Sequence, residues 1–303
     1  MYAVLSIQPR RNGMGGIRKR TRHCSRYGQK AKYIQVSYFR YTETRRQGRK
    51  RKYQESTPKQ RALNEKRSKR YFEALVKTNF GADDLCVHPT YTDENMPADE
   101  AEAKKQITNY MRRINHKRKR LGLPNAKYII ITETGAKNGR IHHHVIMDGA
   151  LDRNEVEKLW GRGICNADRL QPDKKTGLAA ILTYLMKDPR GRRRWDPSHN
   201  LQKPWESIND DPRMMSRKKM GVMKDVPEDS EYMKQIIEND NPGYELQEVE
   251  KEYRDDVGQW YFFCRMKLST GNAQKNVDNR RKRHGTAYAE NRRGNSTKIP
   301  PSL

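Results

Sequence analysis

The sequence predicts an α+β fold: a mostly antiparallel sheet flanked by helices, with basic disordered termini. Three observations predict it. Strand-like and helix-like segments alternate through the middle of the chain. Two of the strands, KYIIITE (127–133) and RIHHHVIM (140–147), are separated only by the turn TGAKNG. They must form a hairpin, which a doubly wound parallel sheet does not contain. The charge is also uneven. Residues 1–70 hold 22 Lys/Arg against 3 Asp/Glu, residues 271–303 hold 8 against 2, and the centre is close to balance with 34 against 32.

Taken in order, residues 1–30 are rich in Arg, Lys and Gly without periodicity and read as a mobile basic N-terminus. AKYIQVSYFRYT (31–42) is dense in β-branched and aromatic residues and reads as a strand. A basic connector follows, and from Pro58 a helix runs to about Thr78 with Leu63, Phe72, Leu75 and Val76 near helical spacing. DLCVHPTYT (84–92) is a short strand. Pro97 and Asp99 open a long amphipathic helix in which Ile107, Tyr110, Met111 and Ile114 fall at i, i+3, i+4 and i+7. Gly122 and Pro124 stop it. After the hairpin come a short helix (152–160), an edge strand (163–172), and the helix GLAAILTYLMKD (177–188), ended by Pro189. A loop reaches residue 212, a charged helical region spans 213–241, and YELQEVEKEY (244–253) pairs with GQWYFFCRMKL (258–268). Residues 269–303 read as a basic disordered tail.

Composition excludes several classes. No stretch approaches the roughly 20 apolar residues that cross a bilayer, and MYAVLSIQPRR is too short in apolar length for a secretory signal. No membrane partner is expected. The four cysteines, Cys24, Cys86, Cys165 and Cys264, form no CxxC pair, so a cysteine zinc knuckle is not expected and a reducing, cytoplasmic setting is. A formal charge of +27, concentrated at the ends, points to nucleic acid, because cationic flanks gain affinity by releasing condensed counterions. Tyr33, Tyr38 and Tyr41 are candidates to stack bases, strand-core packing being the commoner use of such residues.

The chemistry-bearing residues begin with His142, His143 and His144. On a strand, His142 and His144 share one face while His143 joins Ile141, Val145 and Met147 on the other. Two imidazoles about 7 Å apart at their Cα atoms can converge on one ion. Two neutral ligands undercompensate a divalent cation, so a carboxylate should join them, and Glu133 ends the partner strand within reach if its face matches. A His-His-Glu site with open positions suits Mn²⁺, Mg²⁺ or Zn²⁺ acting as a Lewis acid. The alternative is a polar strand with three surface histidines and no metal. A second feature is Tyr184 with Lys187, three apart on one helix face. A neighbouring cation favours the phenolate of an otherwise weak nucleophile. With 16 tyrosines in the chain, an accidental pairing at the rim of an amphipathic helix is the alternative.

Together these residues carry a resemblance. GRIHHHVIM is similar to the His-hydrophobe-His signature of the HUH endonuclease superfamily, with His143 in the hydrophobic slot. The chain most resembles rolling-circle replication initiators of plasmids, phages and integrated elements of Gram-positive bacteria. DLCVHPTYTD (84–93) stands at the first motif, TETGAKNGRIHHH (132–144) at the acidic and histidine motif, YLMK (184–187) at the tyrosine motif, and SHNLQKP (198–204) at the segment after it. The resemblance covers a catalytic core of about 84–204 and extends more weakly over 31–268, which it marks as one initiator domain.

The resemblance implies a sheet related to the RNA-recognition fold. It implies a divalent metal on His142 and His144 with Glu133 as third ligand, and Tyr184 as nucleophile on single-stranded DNA. The tyrosine becomes linked to the 5′ phosphate and frees a 3′ hydroxyl that primes synthesis. Lys187 would steady the phosphate or help set the tyrosine's proton. Single-stranded and duplex origin DNA, a host helicase and a polymerase are the implied partners, in a bacterial host, associated with the nucleoid or plasmid. His88-Pro89 departs from the hydroxyl and aliphatic residues usual in the first motif. Proline cannot donate a ladder bond, so the strand should be locally broken or bulged, and His88 could lie near the metal. A relaxase or single-strand transposase shares this chemistry. A non-catalytic nucleic-acid-binding protein and a hydrolase that uses water are the readings from other classes.

Overall fold

The computed structural model describes residues 16–41, 57–135, 139–173, 178, 182, 195–211, 213–255 and 258–269. The extreme ends and most of the helix expected over 177–188 lie outside these residues. The α+β expectation holds, but the strands divide between two five-stranded sheets, in orders β8-β1-β2-β10-β9 and β6-β3-β5-β4-β7. The described chain also divides into two compact units. One draws on 16–22, 32–41 and 206–269, the other on 23–31 and 57–205.

The second unit contains the hairpin. β4 (Tyr128–Thr134) and β5 (Ile141–Met147) are antiparallel, with Ile130 opposite Val145 and Glu133 opposite His142. β3 (Leu85–Pro89) lies on the other side of β5, and β6 (Cys165–Arg169) closes the edge, as the sequence predicts for that strand. β7 is the two-residue strand Asp196–Pro197 beside β4, in a stretch that reads as loop.

Strand alternation gives this sheet two apolar faces. On one, Leu85, Val87, Ile130, Val145 and Met147 meet Ile107, Tyr110, Met111 and Ile114 of α2 (Glu100–Arg120) and Trp160, which follows α3 (Arg153–Lys158). On the other, Cys86, Ile129, Ile131 and Ile146 meet Phe72, Leu75 and Val76 of α1 (Pro58–Asn79), together with Leu178 and Leu182. The helix starts follow local chemistry. Thr57 Oγ1 accepts from Gln60 N at 3.2 Å ahead of Pro58, and Asp99 Oδ1 accepts from Glu102 N at 2.7 Å.

At the far end of α2 the guanidinium of Arg118, 1% exposed, is held by Asp148 Oδ1 at 2.6 Å and by Pro124 O at 2.6 Å. Asp148 Oδ2 also accepts from Lys127 N at 2.5 Å. One carboxylate thereby ties the helix end to the residue before β4 and the residue after β5.

In the other unit β2 (Tyr33–Arg40) pairs with β10 (Gln259–Leu268), which pairs with β9 (Tyr244–Arg254), all antiparallel. β1 (Ile17–His23) and β8 (Trp205–Asn209) complete the sheet. The helices are α4 (Arg217–Asp225) and α5 (Glu231–Asp240), which bury Met220, Met223, Met233 and Ile237. Tyr38 is fully buried. Its hydroxyl donates to Asp240 Oδ2 at 2.7 Å and accepts from Asn241 Nδ2 at 2.7 Å, so it is a core residue and not a base-stacking one. No described helix is long and apolar enough to cross a membrane.

Candidate metal centre

The site grows from the register of one hairpin. Because Glu133 is directly opposite His142, both project from the same face, and His144, two residues along, joins them. Glu133 Oε2 is 3.6 Å from His142 Nε2 and 3.4 Å from His144 Nε2, and the two imidazole centroids are 5.1 Å apart. One ligand atom from each of the three lies within 4.8 Å of the others. Two imidazole nitrogens and a carboxylate oxygen at this spacing suit a divalent cation that keeps open positions.

The surroundings are unequal. His144 is buried at 5% exposure, whereas the His142 side chain retains 29%. Burial, reinforced by His88 and His142, pushes the His144 pKa down to about 3, so its ring is neutral and keeps a lone pair at physiological pH.

His143 serves the opposite face. It is fully buried, with Nε2 at 2.7 Å from the Tyr91 hydroxyl and Nδ1 at 2.9 Å from Thr132 Oγ1. Burial drives its pKa down to about 3 as well. The slot that the resemblance makes hydrophobic is thus filled by a neutral imidazole with both nitrogens engaged, which pins the strand between its two outward-facing neighbours. Arg140 holds the hairpin mouth by donating to Tyr91 O at 2.7 Å and pairing with Asp93.

His88 is the residue whose place the sequence left open. The β3–β5 ladder stops at Val87, before His88-Pro89, while pairing with β6 continues to Pro89. Free of the ladder on that side, His88 turns its Nδ1 to 2.8 Å from His144 Nδ1. Alternation from Cys86, which packs on the α1 face, could have placed it with the triad. Burial lowers its pKa, opposed by the charge of Asp168.

Tyr184 and Lys187 lie outside the described residues. Two residues from the same segment are described: Leu178 and Leu182 are joined by an N–H to C=O bond of 3.1 Å and are buried with Ile129, Ile131 and Ile146. Those three strand residues alternate in phase with Glu133, His142 and His144, so both leucines cover the sheet face that carries the triad. SHNLQKP has a different task. Ser198 accepts from Tyr128 N at 3.0 Å and Gln202 N donates to Asn79 Oδ1 at 2.8 Å, which binds the start of β4 to the end of α1.

Residues 86–189 match a family model of replication-associated proteins, the ORF2 family. The matched span runs from the middle of β3 past Lys187 and includes every candidate residue named above. It covers about a third of the chain, and it supports a replication-initiation role. Comparison with curated proteins and with solved structures finds no match.

Proposed function

We propose that this protein nicks and rejoins single-stranded DNA through a covalent 5′-phosphotyrosine at Tyr184 and so initiates rolling-circle replication. The observation that carries the reading is the convergence of Glu133, His142 and His144 on one sheet face, inside the span similar to replication-associated proteins. Leu178 and Leu182, within six residues before Tyr184, pack on that same face.

A divalent ion held by the triad would supply Lewis acidity to a phosphoryl oxygen. The chain's own groups do the rest. The Tyr184 oxygen attacks phosphorus, the P–O3′ bond breaks, and the departing oxygen leaves as a 3′ hydroxyl after taking up a proton. Lys187 offers positive charge to the phosphate and to the phenolate. The phosphodiester becomes a phosphotyrosine ester of similar energy, so a later 3′ hydroxyl can reverse the step without ATP. Single-stranded and duplex origin DNA, a host helicase and a host polymerase are the partners this scheme requires.

The test uses the full chain with Mn²⁺ and tiled single-stranded oligonucleotides from DNA flanking its gene. A protein–DNA adduct that survives boiling in detergent is expected, and Tyr184→Phe should leave none. An adduct of undiminished yield in that variant sinks the assignment.

His88 supplies a second expectation. Only one proton fits between the two Nδ1 atoms. If His144 donates it, His144 Nε2 is left as the lone pair beside Glu133, in the manner of residues that orient metal-bound histidines. His88→Leu should weaken Mn²⁺ binding by about 10- to 100-fold, read by calorimetry, and His88→Asn, which keeps an acceptor, should recover part of it.

A further inference from the structure

The turn between β1 and β2 carries an aromatic group that the metal centre does not use. Tyr27 is 81% exposed. A tyrosine so exposed at a loop tip usually samples several rotamers, but this one sits on a built turn. Ser25 Oγ donates to Gln29 O at 2.9 Å, Gln29 N donates to Arg26 O at 3.0 Å, and Gly28 supplies the positive φ of 81° that the reversal needs. The Tyr27 ring meets Trp205 edge-on, with centroids 5.2 Å apart at 73°. Trp205 in turn lies flat on His23, 3.7 Å away at 8°, with its Nε1 at 3.4 Å from Ser25 Oγ. Three rings are therefore arranged before any ligand arrives. Arg26 and Lys30, on either side of the exposed ring, are themselves exposed.

We infer that Tyr27, backed by Trp205 and His23, is a stacking site for a base of single-stranded DNA whose phosphates run over Arg26 and Lys30. Every base offers a π-face, so stacking tolerates any sequence, and a ring already fixed loses little freedom on binding. The cations next to it match a polyanion in a chain of formal charge +27. Bases in a duplex have their faces covered by neighbours, so the same site distinguishes a single strand from a duplex. The inference rests on the proposed handling of single-stranded DNA but needs neither the triad nor Tyr184.

The experiment measures binding of the full chain to a fluorescent dT oligonucleotide in EDTA by anisotropy across a salt series. Tyr27→Ala should weaken binding by about 5- to 100-fold at every salt concentration and leave the salt slope unchanged, as loss of a stack does. Tyr27→Phe should bind like wild type. Arg26→Gln should instead flatten the slope by roughly 0.7, the signature of one lost phosphate contact on a single strand. Duplex binding should not respond to Tyr27→Ala. Three results would overturn the inference: no binding of dT by the wild-type chain, wild-type affinity in Tyr27→Ala, or an equal loss on duplex. With no metal and no origin sequence present, failure of the nicking reaction leaves this result unaffected.

Discussion

His144→Ala is expected to abolish metal-dependent cleavage of single-stranded DNA while the chain stays folded. Of the three triad members, His144 stands at the centre. It is 3.4 Å from Glu133, its other nitrogen contacts His88, and it is the more buried imidazole of the pair. Removing it takes away a ligand and leaves His88 without its ring partner. The loss of Mn²⁺ affinity should exceed the about 10- to 100-fold expected from removing His88 alone. Lewis-acid stabilisation of a phosphoryl oxygen is worth several kcal/mol, so cleavage should fall by roughly a thousandfold or more. Calorimetry with Mn²⁺ and adduct formation on gels read the two effects separately. EDTA added to the wild-type chain should reproduce the loss of cleavage, and Mn²⁺ should restore it. Wild-type rates in His144→Ala would leave the protein as a nucleic-acid binder without this chemistry. His142→Ala should act in the same direction with less effect on folding, because that ring is partly in solvent.

The site was legible in the sequence for a physical reason. A hairpin with a short turn fixes its own register, and register fixes faces. The six-residue turn TGAKNG therefore brings Glu133 opposite His142 without reference to the rest of the chain. The long helix was legible in the same way, since Asp99 caps it and Ile107, Tyr110, Met111 and Ile114 are all buried. What was hidden depends on partners far along the chain. IRKRTRH carries four cations in seven residues, which masks the inward alternation of Ile17 and Thr21 that makes it a strand. WESIN is short and mostly exposed, and reads as loop until β1 is beside it. The division into two sheets could not be read because β2 precedes the hairpin by some ninety residues yet pairs with β10 instead. His88 was obscured by its own neighbour. Pro89 announces a broken ladder, and the freedom this gives His88 to reach His144 is a three-dimensional consequence.

Asp148→Ala is expected to have the largest effect on stability. Arg118 is among the largest fully buried side chains, and Asp148 is its only carboxylate partner among the described residues. Deleting one member of such a pair leaves an uncompensated charge in the interior, which costs about 3–5 kcal/mol. The Lys127 N–H loses its acceptor in the same substitution. The double variant Arg118→Met with Asp148→Ala removes the stranded charge and should recover more than half of the loss, since a hydrophobic replacement of both partners is often close to neutral. Urea denaturation of the two variants against wild type measures both steps. If the single and double variants are equally destabilised, the cost lies in the backbone contacts of Asp148 and not in the buried guanidinium. The location makes the effect specific. Lys127 and Asp148 flank the closed end of the β4–β5 ribbon, and the triad lies toward the other end, beyond Ile131 and Val145. The folded fraction of Asp148→Ala should therefore bind Mn²⁺ with wild-type affinity at low temperature and lose it only as the unit unfolds, whereas His144→Ala loses the metal with the fold intact.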